Sequence, residues 1–316
     1  MPNWDSAGDT DTEANIRLPA GQEAPPHERT AVAQIHPTAV VDPAAELGAG
    51  VAIGPFCVVE AGAVIGDGCI LEARSVVKSR TTLGQNNEIG EGAVIGGKAQ
   101  HVQVQQPGGT LVVGSHNRIR ENVTLHRGWA NEATTTIGDH NLFMVGAHVG
   151  HDCRVGSHCI VVNHVLLGGH VTVEDRAYIG GGVGVHQFCR IGRLAMIGGL
   201  SKIVQDVPPF VLIDDTQVVG LNKIGLRRNG YTAKDLLQLK EAYRIIYRLG
   251  LRWKEVLAQL QEQFADGPAA LFHEFLKQGK RGFTQERRIS RKATLKIVDP
   301  SQDEIEGSHG RQRDAA

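Results

Sequence analysis

Aromatic residues make up only 5 % of the 316 residues, so the bulky anchors of an ordinary globular core are few. No run approaches the roughly 18 uncharged apolar residues that a transmembrane helix requires, which excludes such a span. Residues 1–15 hold neither a basic nor an apolar segment, and no secretory signal is expected. Cysteine is sparse and odd in number, at five, with no paired Cys-x-x-Cys spacing. That argues against a disulfide framework or a zinc–thiolate site and fits a reducing, cytoplasmic compartment. Net charge is nearly absent, with 33 Lys+Arg against 34 Asp+Glu, so nothing points to nucleic acid. The balance is uneven along the chain. Residues 227–296 carry 16 basic and 7 acidic side chains, an excess of +9, and offer a surface for an acidic partner.

Glycine is abundant, at 39 residues, and an aliphatic side chain recurs every six positions from Ile35 to Ile203. Of the 29 positions in this register, 26 are aliphatic or Phe; the exceptions are His101, Pro107 and Asn131. A helix of period 3.6 cannot hold a six-residue repeat on one face. A three-sided coil can. Each hexad then supplies a short strand and a turn, and three hexads close one coil. The pattern predicts a mainly β fold, a left-handed parallel β-helix over residues 34–207. Glycine often follows the repeat aliphatic, as at Gly54, Gly66, Gly90, Gly138 and Gly192, and is expected to serve turns of positive φ. Cys57, Cys69, Cys153, Cys159 and Cys189 each sit four residues after a repeat aliphatic and read as small interior hydrophobes.

Two stretches lose the pattern, 96–112 and 128–136, and are expected to be loops thrown out of the prism and candidates for function. After Pro208-Pro209 the hexads stop. A small C-terminal α-helical domain is expected over residues 208–278. Its first helix starts at a capping box, Thr232-x-x-Asp235; the others span about 253–264 and 269–276. The polar, acidic residues 1–33 and the basic residues 279–316 are expected to be disordered.

Within an uninterrupted prism, residues 18 apart lie one coil apart. His151, Gly169 and Gln187 therefore share a column, His170 and His186 flank it, and His148 is expected in the preceding turn nearby. An imidazole there can take a proton from a hydroxyl. The N–H of Gly169 can stabilise the oxyanion formed when that hydroxyl attacks a carbonyl. Asp152 adjoins His151 and can orient it. No Ser or Cys is placed to act as a covalent nucleophile. Acyl transfer with a histidine general base follows. His116, His140, His158 and His164 each sit three residues after a repeat aliphatic, as His170 does, so that position is permissive for turn residues.

The segments 146–153 (GAHVGHDC), 168–171 (GGHV) and 185–189 (VHQFC) resemble the UDP-N-acetylglucosamine O-acyltransferases of lipid A biosynthesis. So do 117–128 and 205–209, and the resemblance covers about residues 35–276. It implies a homotrimer of left-handed β-helices with sites between neighbouring prisms. It also implies transfer of a (3R)-hydroxyacyl chain from acyl carrier protein to the 3-hydroxyl of UDP-N-acetylglucosamine, without a cofactor or a metal. His151 becomes the base, Asp152 its partner and Gly169 the oxyanion donor. His148, His170, His186, Gln187 and Gln100 line the substrate site. Asn222 and Arg228 match nucleotide or phosphate contacts, Gly199 matches a position gauging acyl length at about that of hydroxymyristoyl, and the basic C-terminal region receives the carrier protein. The chain departs from the family pattern at His101 and Gln103, where Asp and Lys are usual, and at Ile224 and Asn229, where Glu and Arg are usual. Those departures keep a different acceptor, such as a 3-amino sugar nucleotide, in view. Three other readings compete: a zinc lyase of the same fold, a non-catalytic scaffold, and an acetyl-CoA-dependent acetyltransferase.

Overall fold

A computed structural model describes residues 32–103 and 106–287. The N-terminal extension to residue 31 and the basic cluster from Arg288 onward lie outside the described residues. Three sheets of eleven, nine and eight strands form the sides of a triangular prism, and from Gln34 to Ile203 each strand pairs in parallel with the strand three elements away in sequence. The repeat aliphatics stack in register, Ile35 on Ile53, Ile53 on Leu71 and Leu71 on Ile89. From Ile53 onward they are buried, each contributing about 1.5–3 kcal/mol of hydrophobic stabilisation. The chain is thus a left-handed parallel β-helix followed by a small helical section.

The cysteines are all free and buried, and burial pushes the Cys153 and Cys159 thiols up to about 12. They are packing residues. The glycines after the repeat aliphatics have a different role from the one expected. None of the five has positive φ. They are needed for close approach: a Cβ on Gly66 would stand 2.7 Å from the backbone of Gly84, and one on Gly138 would stand 2.7 Å from the Gly156 carbonyl. The left-handed position is two residues later, and there non-glycine side chains dominate, among them Phe56, His116, His140, Asp152 and His170.

The two excursions are shorter than the sequence suggested. Strands run on to Gly97 and restart at Thr110, and the second loop ends where Thr134–Ile137 begins. Pairing across them shows their size: Val94 pairs with Thr124, 30 residues on, and Thr124 pairs with His148, 24 residues on, against 18 in the uninterrupted coils.

Past Pro209 the chain does not turn helical at once. Val211–Asp214 extends the eleven-stranded sheet, and Gln217–Leu221 returns antiparallel to it. Four helices follow: α1 (Lys223–Arg228), α2 (Ala233–Tyr247), α3 (Trp253–Gln263) and α4 (Ala270–Lys277). The Thr232–Asp235 capping box is present at the start of α2. Arg190 ties the prism to the helices, with its guanidinium 2.8 Å from Asp206, 2.8 Å from the Phe275 carbonyl and 4.1 Å over the Phe275 ring. The chain does not leave the fold at residue 279. Phe283 packs on Trp253, and Glu286 accepts from the Tyr243 hydroxyl and pairs with Arg248. Basic composition pointed outward there, but one aromatic and one carboxylate hold the segment down through Arg287.

Candidate active site

The turns that join the nine-stranded to the eight-stranded sheet bring His151, Asp152, Gly169, His170, His186 and Gln187 to one corner of the prism. His151 is 8 % exposed, and its Nδ1 lies 2.5 Å from Asp152 Oδ2. Asp152 is held on both sides. Its N–H donates to Thr135 Oγ1 at 2.8 Å, and its Oδ2 also accepts the Trp129 N–H at 3.1 Å. The carboxylate therefore fixes Nδ1 as the protonated nitrogen and leaves Nε2 free to accept. Nε2 faces the next coil, and a Cβ on Gly169 would stand 2.6 Å from it. Only glycine leaves room for the ring. Among the described residues the Gly169 N–H has no acceptor, so it remains available to a ligand.

His170 lies beside this pair, with Nε2 3.8 Å from Asp152 Oδ2 and its ring stacked on Phe188 at 4.5 Å. Burial lowers its pKa, partly offset by Asp152. The sequence holds no paired Cys-x-x-Cys spacing, yet one ligating atom each from His151, Asp152 and His170 lies within 4.8 Å of the others.

His148 projects from the nine-stranded face. Its Nδ1 lies 2.9 Å from Thr124 Oγ1, and burial pushes its pKa down to about 4. It lines an open cavity of about 550 Å³ together with Gln100, Leu166, Gly184, His186 and Lys202. His186 is exposed, with Nδ1 3.1 Å from the Gln187 carbonyl and 3.3 Å from Arg281; Gln187 is exposed beside it. Gly199 lies at the opposite edge of the same face, where a Cβ would meet only the Gly181 backbone, at 3.3 Å.

Asn222 and Arg228 do not reach this corner. Asn222 caps α1, accepting the Gly225 N–H and donating to the Leu194 carbonyl, at the corner between the eight- and eleven-stranded sheets. Arg228 is exposed on the last turn of α1, Ile224 is exposed on its first, and Asn229 accepts from Arg176.

Three residues with no assigned role complete the picture. His126 is buried, with Nδ1 2.7 Å from the Lys98 carbonyl and its ring 4.9 Å from that of His148; burial lowers its pKa. Trp129 donates its indole N–H to the Gln103 carbonyl at 2.8 Å and packs on His101, which meets His151 edge-on at 5.8 Å. Both excursions thus close on the dyad. His126 lies within the segment 117–128, but Trp129 and His101 lie where the six-residue pattern is lost, and counting does not place them.

The bacterial transferase hexapeptide model matches residues 62–97 and 134–169. A model described as UDP N-acetylglucosamine O-acyltransferase, domain 2, matches residues 206–284. The acyl-[acyl-carrier-protein]–UDP-N-acetylglucosamine O-acyltransferase of Burkholderia orbicola is 45 % identical over 257 residues, spanning 79 % of this chain and 98 % of the relative. The chain belongs to this acyltransferase family. Its counterpart from Stutzerimonas stutzeri is 42 % identical over 255 residues, with 79 % and 99 % covered. Among solved structures, the UDP-N-acetylglucosamine acyltransferase of Francisella novicida matches with a TM-score of 0.78 at 34 % identity, covering 81 % of this chain and 95 % of that one. The Moraxella catarrhalis O-acyltransferase matches at 0.77 and 38 %, covering 79 % and 99 %.

Proposed function

We propose that the chain transfers a (3R)-hydroxyacyl group from acyl carrier protein to the 3-hydroxyl of UDP-N-acetylglucosamine, the first step of lipid A biosynthesis. The observation that carries this reading is the His151–Asp152 dyad with Nε2 over Gly169, in a chain 45 % identical to an enzyme of that name. Nε2 takes the hydroxyl proton as the oxygen attacks the thioester carbonyl. The Gly169 N–H receives the developing oxyanion. Asp152 stabilises the imidazolium, and the carrier's thiolate leaves. His148, His170, His186, Gln187 and Gln100 frame the reactants, the acyl chain crosses the cavity toward Gly199, and the residues named perform these steps without a cofactor.

Two features support a homotrimer. Leu142, Ile160, Tyr178 and Met196 form an apolar column on the outer face of the eleven-stranded sheet, which a neighbouring prism would cover. Asn222 and Arg228 stand at a different corner from His151 in one chain, so a shared nucleotide site requires a second copy. The basic helical surface suits an acidic carrier protein, and a cytoplasmic location suits free, buried thiols. No described helix is long and apolar enough to cross a membrane.

A specific observation keeps a second acceptor in view. His101 lies edge-on to His151, so the altered loop reaches the reacting centre. The deciding experiment measures transfer of (3R)-hydroxymyristoyl from its carrier to UDP-N-acetylglucosamine, with His151→Ala alongside. Turnover lost in the variant supports the reading. A folded trimer inactive with this acceptor but active on the 3-amino sugar nucleotide shifts it to N-acylation.

A further inference from the structure

His151 Nδ1, Asp152 Oδ2 and His170 Nε2 are two imidazole nitrogens and one carboxylate oxygen, a donor set suited to zinc and its transition-metal neighbours. The two measured separations from Asp152 Oδ2 are 2.5 Å to His151 and 3.8 Å to His170. A tetrahedral Zn²⁺ with bonds of about 2.0–2.1 Å sets its ligand atoms roughly 3.3 Å apart. One pair has to open by under about 1 Å and the other to close by about half that, within the reach of small side-chain rotations. The frame beneath them is firm. The Asp152 N–H is anchored on Thr135, the His170 N–H on the His151 carbonyl, and the His170 ring on Phe188. No other group of three such side chains converges in this way among the described residues.

We propose that this triad is a transition-metal site, and that Zn²⁺ bound there switches the general base off. The argument is tautomeric. In the working dyad the Nδ1 proton is donated to Asp152, and Nε2 accepts the proton of the sugar hydroxyl. Zn²⁺ on Nδ1 displaces that proton. The neutral imidazole then carries its one proton on Nε2, where it blocks acceptance of another. The proton moves from one ring nitrogen to the other through solvent, and no bond in either substrate changes. Asp152 is drawn into the metal's coordination and no longer stabilises an imidazolium. The inhibitory half rests on the reading of His151 as base; the binding half does not.

The test uses the full chain, with Co²⁺ as a spectroscopic probe and Zn²⁺ followed by calorimetry. One Zn²⁺ per chain is expected at micromolar concentration, with a Co²⁺ visible spectrum of tetrahedral intensity that Zn²⁺ bleaches. Asp152→Asn and His170→Gln, shown folded by circular dichroism, each weaken binding by about tenfold or more. His140→Gln, in a separate histidine cluster, leaves binding unchanged. In the transfer assay Zn²⁺ inhibits, chelation restores activity, and His170→Gln requires about tenfold more Zn²⁺ for the same inhibition. No binding, or binding indifferent to both ligand substitutions, overturns the site. Transfer that continues at saturating Zn²⁺ overturns the switch. Zn²⁺ bound as expected to a chain inactive on every acceptor leaves the site standing and removes the acyltransferase reading instead.

Discussion

Two corners of the prism carry columns of histidine, and they are built differently. Between the eight- and eleven-stranded sheets, His116, His140 and His158 stack face to face, with centroids 4.8 and 5.0 Å apart and planes within 4° of parallel. Each occupies the left-handed turn position of its hexad. The repeat delivers identical geometry coil after coil, so identical rings fall into a ladder. At the other corner, in one coil, that turn position is held by Asp152, with φ +60, and the histidine moves back one residue to 151. His151 meets His170 edge-on there, at 5.2 Å, while His170, at the turn position of the next coil, stacks on Phe188. One change of order, His then Asp, turns a stacking position into an imidazole oriented by a carboxylate. A histidine's position within the hexad, and what stands beside it, separates chemistry from scaffold.

His151→Ala tests the comparison hardest. Loss of a general base lowers kcat by about 10²–10⁴-fold, while the thermal midpoint should barely move because His151 lies outside the interior file of aliphatics. Steady-state transfer and calorimetry on one preparation check both. Retention of more than a tenth of wild-type turnover would place the base elsewhere.

Gly169→Ala comes next. Gly169 is not among the positive-φ residues, so the backbone accepts alanine. The new methyl would stand 2.6 Å from His151 Nε2, and the ring must shift. Misplacement of this kind lowers kcat on the order of 10–100-fold with the fold intact. Unchanged turnover would mean that Nε2 does not work against this glycine.

Protonation separates the site from the ladder more gently. His148 falls from 6.5 to about 4, chiefly through burial and then through His126. Between those values the unfolded chain binds a proton that the fold resists, so stability declines as pH drops through the window. Discounted for partial exposure, the loss is on the order of 1–2 kcal/mol. His148→Gln should flatten the fall of the thermal midpoint between pH 6.5 and 4. An unaltered slope would assign the decline to other groups.

The prism was legible because a six-residue period admits few folds, and the column His151–Gly169–Gln187 followed from counting. What escaped counting was whatever left the repeat. Trp129 and His101 come from excursions whose path is set by strand pairing 24 and 30 residues long. Asn222 matched a ligand position yet serves within this chain as a helix cap, a role any Asn before a helix can fill. A glycine after each aliphatic suggests turn geometry because glycine is the usual left-handed residue; only the distance to the next coil reveals that these are there for closeness.

The smallest expected effect lies in the ladder, and it guards the comparison against a trivial explanation. If any histidine on the prism edge sustained activity through general electrostatics, His140→Asn would reduce turnover. The ring of His140 is stacked between two others at a φ of +56, a conformation asparagine adopts readily. The substitution removes two ring contacts and no hydrogen bond to the dyad. Stability should change by about 0.5 kcal/mol or less, and kcat should match the wild type. His140→Val, by contrast, puts a β-branched side chain at a left-handed position and should cost on the order of 1–2 kcal/mol, still without touching kcat. A drop in turnover with either variant, at unchanged fold and oligomeric state, would show that the two corners are coupled and that the ladder is more than scaffold.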